Sequence, residues 1–191
     1  MAASGVNSVL TVVDVQGDAN AATAQLQSVS PAGAKFTNQI RCSAAEGLAY
    51  GDALFENSDG KTGTKTMTEL IGVQLPSVAA LREGVKFRND STSDLDFPGY
   101  DANGKYTGQL VYKIVIGQTC TVHGPRQITV PAGKFNGFEI ACEGSSTRKT
   151  AAEADSKVVY NTNTYWLEGI GFSGVEASGS QLVSYSIPPL P

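Results

Sequence analysis

Three cysteines, a single histidine and a scatter of aspartates are the residues whose types could support chemistry in this chain of 191 residues. Cysteines clustered with histidines hold zinc, but Cys42, Cys120 and Cys142 stand far apart and His123 is the one imidazole, so no zinc spacing exists. A Ser–His–Asp device would have to use His123, which abuts Gly124-Pro125, and no Gly-x-Ser-x-Gly elbow presents a serine to it. Asp90, Asp94, Asp96 and Asp101 invite a calcium reading, because calcium loops place oxygen ligands at alternate positions and close on a glutamate. Here the alternation breaks at Pro98-Gly99 and no such glutamate follows, so residues 89–103 read as a solvated polar loop. Gly60-Lys61-Thr62 lacks the preceding glycine of a phosphate loop. The expectation is no catalytic residue, no metal and no cofactor.

Aromatic side chains gather in the last quarter: Tyr160, Tyr165, Trp166, Phe172 and Tyr185. They fill a core or line a pocket, since Trp and Tyr combine apolar area with a polar handle. Trp166, Phe172, Tyr165 and Tyr185 are therefore the ligand-binding candidates, expected on a concave face.

The cysteines need elements to bring them together. A turn motif occurs twice, Pro31-Ala32-Gly33-Ala34-Lys35-Phe36 and Pro131-Ala132-Gly133-Lys134-Phe135, with Ile40-Arg41-Cys42 and Ile140-Ala141-Cys142 following at matching distance. Proline presets the first corner and glycine accepts the left-handed closing position, which is a three-residue hairpin loop. With Val130 opposite Lys134, the residues Ile128, Val130, Phe138, Ile140 and Cys142 would share one face. In that register Cys142 faces Val122, and a bulge at His123-Gly124-Pro125 absorbing two residues would bring Cys120 opposite it. A Cys120–Cys142 disulfide follows; three thiols, or Cys42 joined to either partner, are the alternatives.

The rest of the chain has the same texture. Alternating residues predict strands over 9–15, 23–29, 36–42, 44–55, 64–75, 106–121, 158–167 and 181–187, with residues 145–155 as a loop and one short helix over 76–83. Charged residues make up 17%, below the roughly 25% of ordinary soluble domains, and Gly, Ser, Thr and Ala take their place. The result is a mainly β chain: a strongly curved antiparallel sheet or open half-barrel with at most one short helix, a single domain over residues 1–191. The paired turns allow a pseudo-repeat of residues 8–75 and 106–187. A net charge of −4 without a basic cluster excludes a nucleic-acid partner, and no apolar run approaches the roughly 20 residues of a membrane span. The first residues carry no charged and apolar leader, so Met1-Ala2-Ala3-Ser4 reads as a start placed on a mature domain whose signal or lipidation segment has been removed.

From Leu81 onward the motif order is familiar. Leu81-Arg82-Glu83-Gly84-Val85-Lys86-Phe87, then Ile128-Thr129-Val130-Pro131-Ala132-Gly133-Lys134-Phe135, then Tyr165-Trp166-Leu167-Glu168-Gly169-Ile170-Gly171-Phe172, and last Leu182-Val183-Ser184-Tyr185, stand in that order. This resembles bacterial cell-envelope proteins and lipoproteins of the DUF3108-like family, with Glu168 where proline is common. The resemblance implies a curved antiparallel sheet comparable with lipoprotein-carrier folds, a periplasmic or outer-envelope location, and no assigned reaction. The expected function is a non-enzymatic envelope component that is structural or binds a protein partner. The alternative is a carrier of a lipid-like or apolar ligand in the concave face, which would require a continuous apolar lining.

Overall fold

The computed structural model describes residues 9–18, 20–151, 154–168, 171–175 and 184, the stretch 171–175 by its backbone. Nearly all of it is strand: β1 Val9–Gly17, β2 Ala21–Val29, β3 Lys35–Ser43, β4 Gly47–Glu56, β5 Thr62–Gly72, β6 Leu75–Pro76, β7 Lys86–Tyr100, β8 Tyr106–Val130, β9 Gly133–Lys149, β10 Ser156–Leu167 and β11 Gly171–Val175. They form one antiparallel meander in the order β1-β2-β3-β4-β5-β7-β8-β9-β10-β11, with β6 paired to β4 off the main path. The sheet is strongly curled into a half-barrel.

Its concave side follows from the registers and the cavity. Cross-strand partners share a face, so Tyr50 (opposite Ile40), Lys65 (opposite Leu95), Gln118 (opposite Asn89) and Tyr160 (opposite Gly144) can each be followed from strand to strand. Tyr50 on β4 and Tyr160 on β10 line the same cavity although β5, β7, β8 and β9 separate them in the sheet. Only a curled sheet allows that.

The predicted helix over 76–83 is a single 3₁₀ turn, Val78–Ala80. Its segment is tied down at both ends and is too short to sustain a costly helix nucleus. Leu75 pairs with Leu48, Gly84 N–H donates to the Val122 carbonyl (2.8 Å), and Val122 N–H donates to the Val85 carbonyl (2.9 Å). The segment thus lies across one end of the concave face. There Leu75 and Leu81 join Cys120, Val122, Ile140 and Cys142 in the main core, with Phe87, Phe138 and Trp166 packed against it.

The second Pro-Ala-Gly hairpin differs in detail from the sequence expectation. Val130 pairs with Gly133, so the loop is the two residues Pro131-Ala132, and the bulge at Gly124-Pro125 shifts the register by one residue. Gly124 adopts φ +105°, which a side chain would strain. One residue gained at the turn and one at the bulge give the predicted outcome, Cys120 opposite Cys142. The faces, however, divide. Ile128 and Val130 pack with Leu167, Phe135 and Tyr165 in a second, separate core on the convex side, while Phe138, Ile140 and Cys142 face inward. The first copy is the expected three-residue loop: Ser30 N–H donates to the Ala34 carbonyl (2.9 Å), and Gly33 has φ +84°.

Residues 89–103 are largely strand, not loop. Asp90, Asp94 and Asp96 stand on the convex side of β7 opposite Gly117, Lys113 and Val111, Asp94 exposed and the other two half-buried. Asp90 pairs with Arg88, and Asp94 pairs with Lys113 Nζ at 2.9 Å. The alternate spacing that suggested a calcium loop is the period of two of an outward strand face. Likewise β9 continues through Lys149 into the stretch read as a loop.

Candidate functional site

The concave cavity has a volume of about 230 Å³. Its polar lining is Tyr50, Lys65, Gln74, Asn89, Gln118 and Tyr160, with Ser91; Met67, Leu70 and Ile116 supply the apolar part. Lys65 is the one charged side chain among them. It stands on a row crossing the concave face from Asn38 through Ala53 and Lys65 to Leu95. Asn38 is 9% exposed, and its Oδ1 has no hydrogen-bond partner among the described residues.

Two internal hydrogen bonds organise the lining. Tyr160 hydroxyl donates to Gln118 Oε1 (3.1 Å), and the Asn89 side-chain amide donates to Gln74 Oε1. Each bond uses one lone pair of a glutamine carbonyl and leaves that glutamine's Nε2 as a donor. Burial pushes the Lys65 ammonium below its ordinary range, opposed by the Asp52 carboxylate. Burial raises the phenols of Tyr50, helped by neighbouring Cys42, and of Tyr160, so both remain neutral donors.

β4 and β5 part beside this cavity. They pair only from Ala53–Glu56 to Thr62–Lys65, after which β4 turns to β6 and β5 continues along β7. Asp52 bridges the seam, accepting from Met67 N–H at 2.7 Å. A second, wider hollow of about 590 Å³ lies at the seam, edged by Gln25, Gln39, Arg41 and Glu69, and it shares Tyr50, Met67 and Leu70 with the concave cavity.

The residues singled out from sequence lie elsewhere. Cys120 and Cys142 form the disulfide, buried at 1% and 8% exposure in the main core; Cys42 is a free, exposed thiol. Trp166 packs on Phe138 with ring centroids 6.1 Å apart, against the disulfide core. Tyr165 points to the opposite face, into the second core, with the Arg126 guanidinium 6.0 Å from its ring centroid. Neither lines the concave cavity. Phe172 is in backbone register with Trp166, while its side chain and the whole of Tyr185 lie outside the described residues. His123 is exposed, in register with Glu139 on the convex side. Among the described residues no group of His, Cys, Asp and Glu is placed to hold a metal ion, and no helix is long and apolar enough to cross a membrane.

Sequence reasoning missed Lys65, and a signal existed. In Thr62-Gly63-Thr64-Lys65-Thr66-Met67 the lysine shares the parity of Gly63 and Met67, the inward set of β5. No family model, curated protein or solved structure matches the chain. Fold and site together define an open β half-barrel with a polar, single-cation cavity. Its disulfide is compatible with an extracytoplasmic compartment.

Proposed function

We propose that this protein is a non-enzymatic component of the bacterial cell envelope that binds a protein partner along its first strand. The observation that carries the reading is β1. It is the terminal strand of the sheet, paired only with β2 among the described residues, and Val9, Leu10, Val12 and Val15 are all more than half exposed. Leu10 and Val12 belong to the concave parity, while Val9 and Val13 belong to the convex one. A long apolar edge is a template for another strand, and isolated proteins blunt such edges with charge or proline. β1 carries neither until Asp14. The partner is an extended segment, apolar on both faces, that adds as a strand. The envelope location is supported by the motif order shared with DUF3108-like proteins and by the buried disulfide.

The lipid-carrier alternative is the less well supported reading. A carrier needs a continuous apolar lining, whereas the concave cavity is lined mainly by amides, phenols and an ammonium.

The test is site-specific photo-crosslinking in the native envelope. A photoreactive side chain at Val12 should give one discrete adduct, absent when the same group replaces Val159, which is 75% exposed on β10. Leu10→Lys should abolish the Val12 adduct and leave the fold intact. Equal labelling from both positions, or none from Val12, overturns the reading.

A further inference from the structure

We propose that the concave cavity is a binding site for a small organic monoanion, its acid head held at Lys65 and its short apolar body laid against Met67, Leu70 and Ile116. This inference is independent of the partner strand at β1.

The composition of the lining points to charge and sign. Among the described residues Lys65 Nζ is the one formal charge of the lining, and no aspartate or glutamate belongs to it. Donors stand beside Lys65: Gln118 and Gln74, whose carbonyls accept from Tyr160 and Asn89, keep their Nε2 groups, and Tyr50 presents a hydroxyl. Lys65 makes no ion pair within 4.0 Å among the described residues; Asp52, the carboxylate that acts on it, is engaged by Met67 N–H at the seam. A half-buried ammonium with amide and phenol donors beside it is matched by an anionic acceptor, and a carboxylate is one.

The volume sets the size. About 230 Å³ corresponds to roughly eight waters of liquid volume. That accommodates a short-chain acid. The three apolar side chains come from β5 and β8, two strands apart in the sheet, so the body is held from two sides of the groove. The seam between β4 and β5, where Tyr50, Met67 and Leu70 border both hollows, is the entry.

The test is an amide NMR titration of the intact chain with sodium hexanoate, and in parallel with 1-hexanol, which keeps the body and removes the charge. Hexanoate should shift Met67, Leu70, Ile116 and Gln118, with hexanol at least tenfold weaker. Lys65→Met should weaken hexanoate at least tenfold and leave hexanol unchanged. Inorganic phosphate should compete, because it shares the head chemistry and lacks the body. Hexanol binding as tightly as hexanoate overturns the proposal using the unaltered protein alone, as does hexanoate shifting residues elsewhere or none at all. The Leu10→Lys variant should titrate like the parent, so failure at this site and failure of the β1 reading are separate results.

Discussion

Opening the Cys120–Cys142 bridge should cost about 3 kcal/mol of stability. The two cysteines are 22 residues apart, and loop-closure entropy for a ring of that size amounts to about 3 kcal/mol at 25 °C. The native state changes little, because the thiols stay in register between β8 and β9 and remain in the core, Cys120 at 1% exposure. The loss therefore falls on the unfolded chain. Urea unfolding with and without reductant reads it, in a Cys42→Ser background that removes the free thiol. Trp166 fluorescence is the probe, since the only tryptophan packs against this core. For a urea slope of about 2 kcal/mol per molar, the midpoint should fall by about 1.5 M with the slope unchanged. Midpoints agreeing within about 0.3 M would show that no Cys120–Cys142 bridge constrains the unfolded chain.

Three further outcomes follow from the same geometry. Gly47→Ala should destabilise by more than about 3 kcal/mol: Gly47 has φ +110°, and a Cβ there would lie 2.1 Å from the Leu75 carbonyl oxygen. Hydrogen exchange at Gln74, whose N–H donates to the Leu48 carbonyl, would register the loosened cover segment. Leu81→Ala and Leu167→Ala, at 4% and 0% exposure, should each cost about 3 kcal/mol and add within about 0.5 kcal/mol in the double variant, because they belong to separate cores; strong coupling in denaturant unfolding would contradict the two-faced arrangement. Lys65→Met should raise stability near neutral pH. The folded lysine titrates below 10.5, so between its depressed value and 10.5 the unfolded chain binds more protons and the parent gains stability as pH rises. Urea midpoints measured from pH 7 to 10 should show that rise in the parent and lose it in the variant.

The strand meander was legible because its signals are local. Val9 to Val15, Tyr106 to Thr121 and Val158 to Leu167 alternate in the sequence, and the turns at Gly33 and Gly60 have positive φ. The disulfide was legible because a hairpin fixes which residues can meet. What failed was anything requiring an adjacent strand. The aspartates of β7 look like a loop until β8 supplies Lys113 opposite Asp94. Residues 76–83 look helical until Leu48 and Val122 claim their ends. Trp166 and Tyr165 are neighbours in sequence, and a strand sends them to opposite faces. The concave lining draws on β4, β5, β7, β8 and β10, and no local pattern could assemble it.

Curvature that brings β4 over β10 is the claim on which the cavity depends. A nitroxide attached at Tyr160→Cys, in the Cys42→Ser background, measures it through paramagnetic broadening of the Tyr50 amide. Five strand steps in a flat sheet would place the two positions about 24 Å apart, whereas a cavity of 230 Å³ is about 8 Å across. Tyr50 should be broadened as strongly as residues on β9, the neighbour of the labelled strand. A Tyr50 signal no more affected than those of β2 would contradict it.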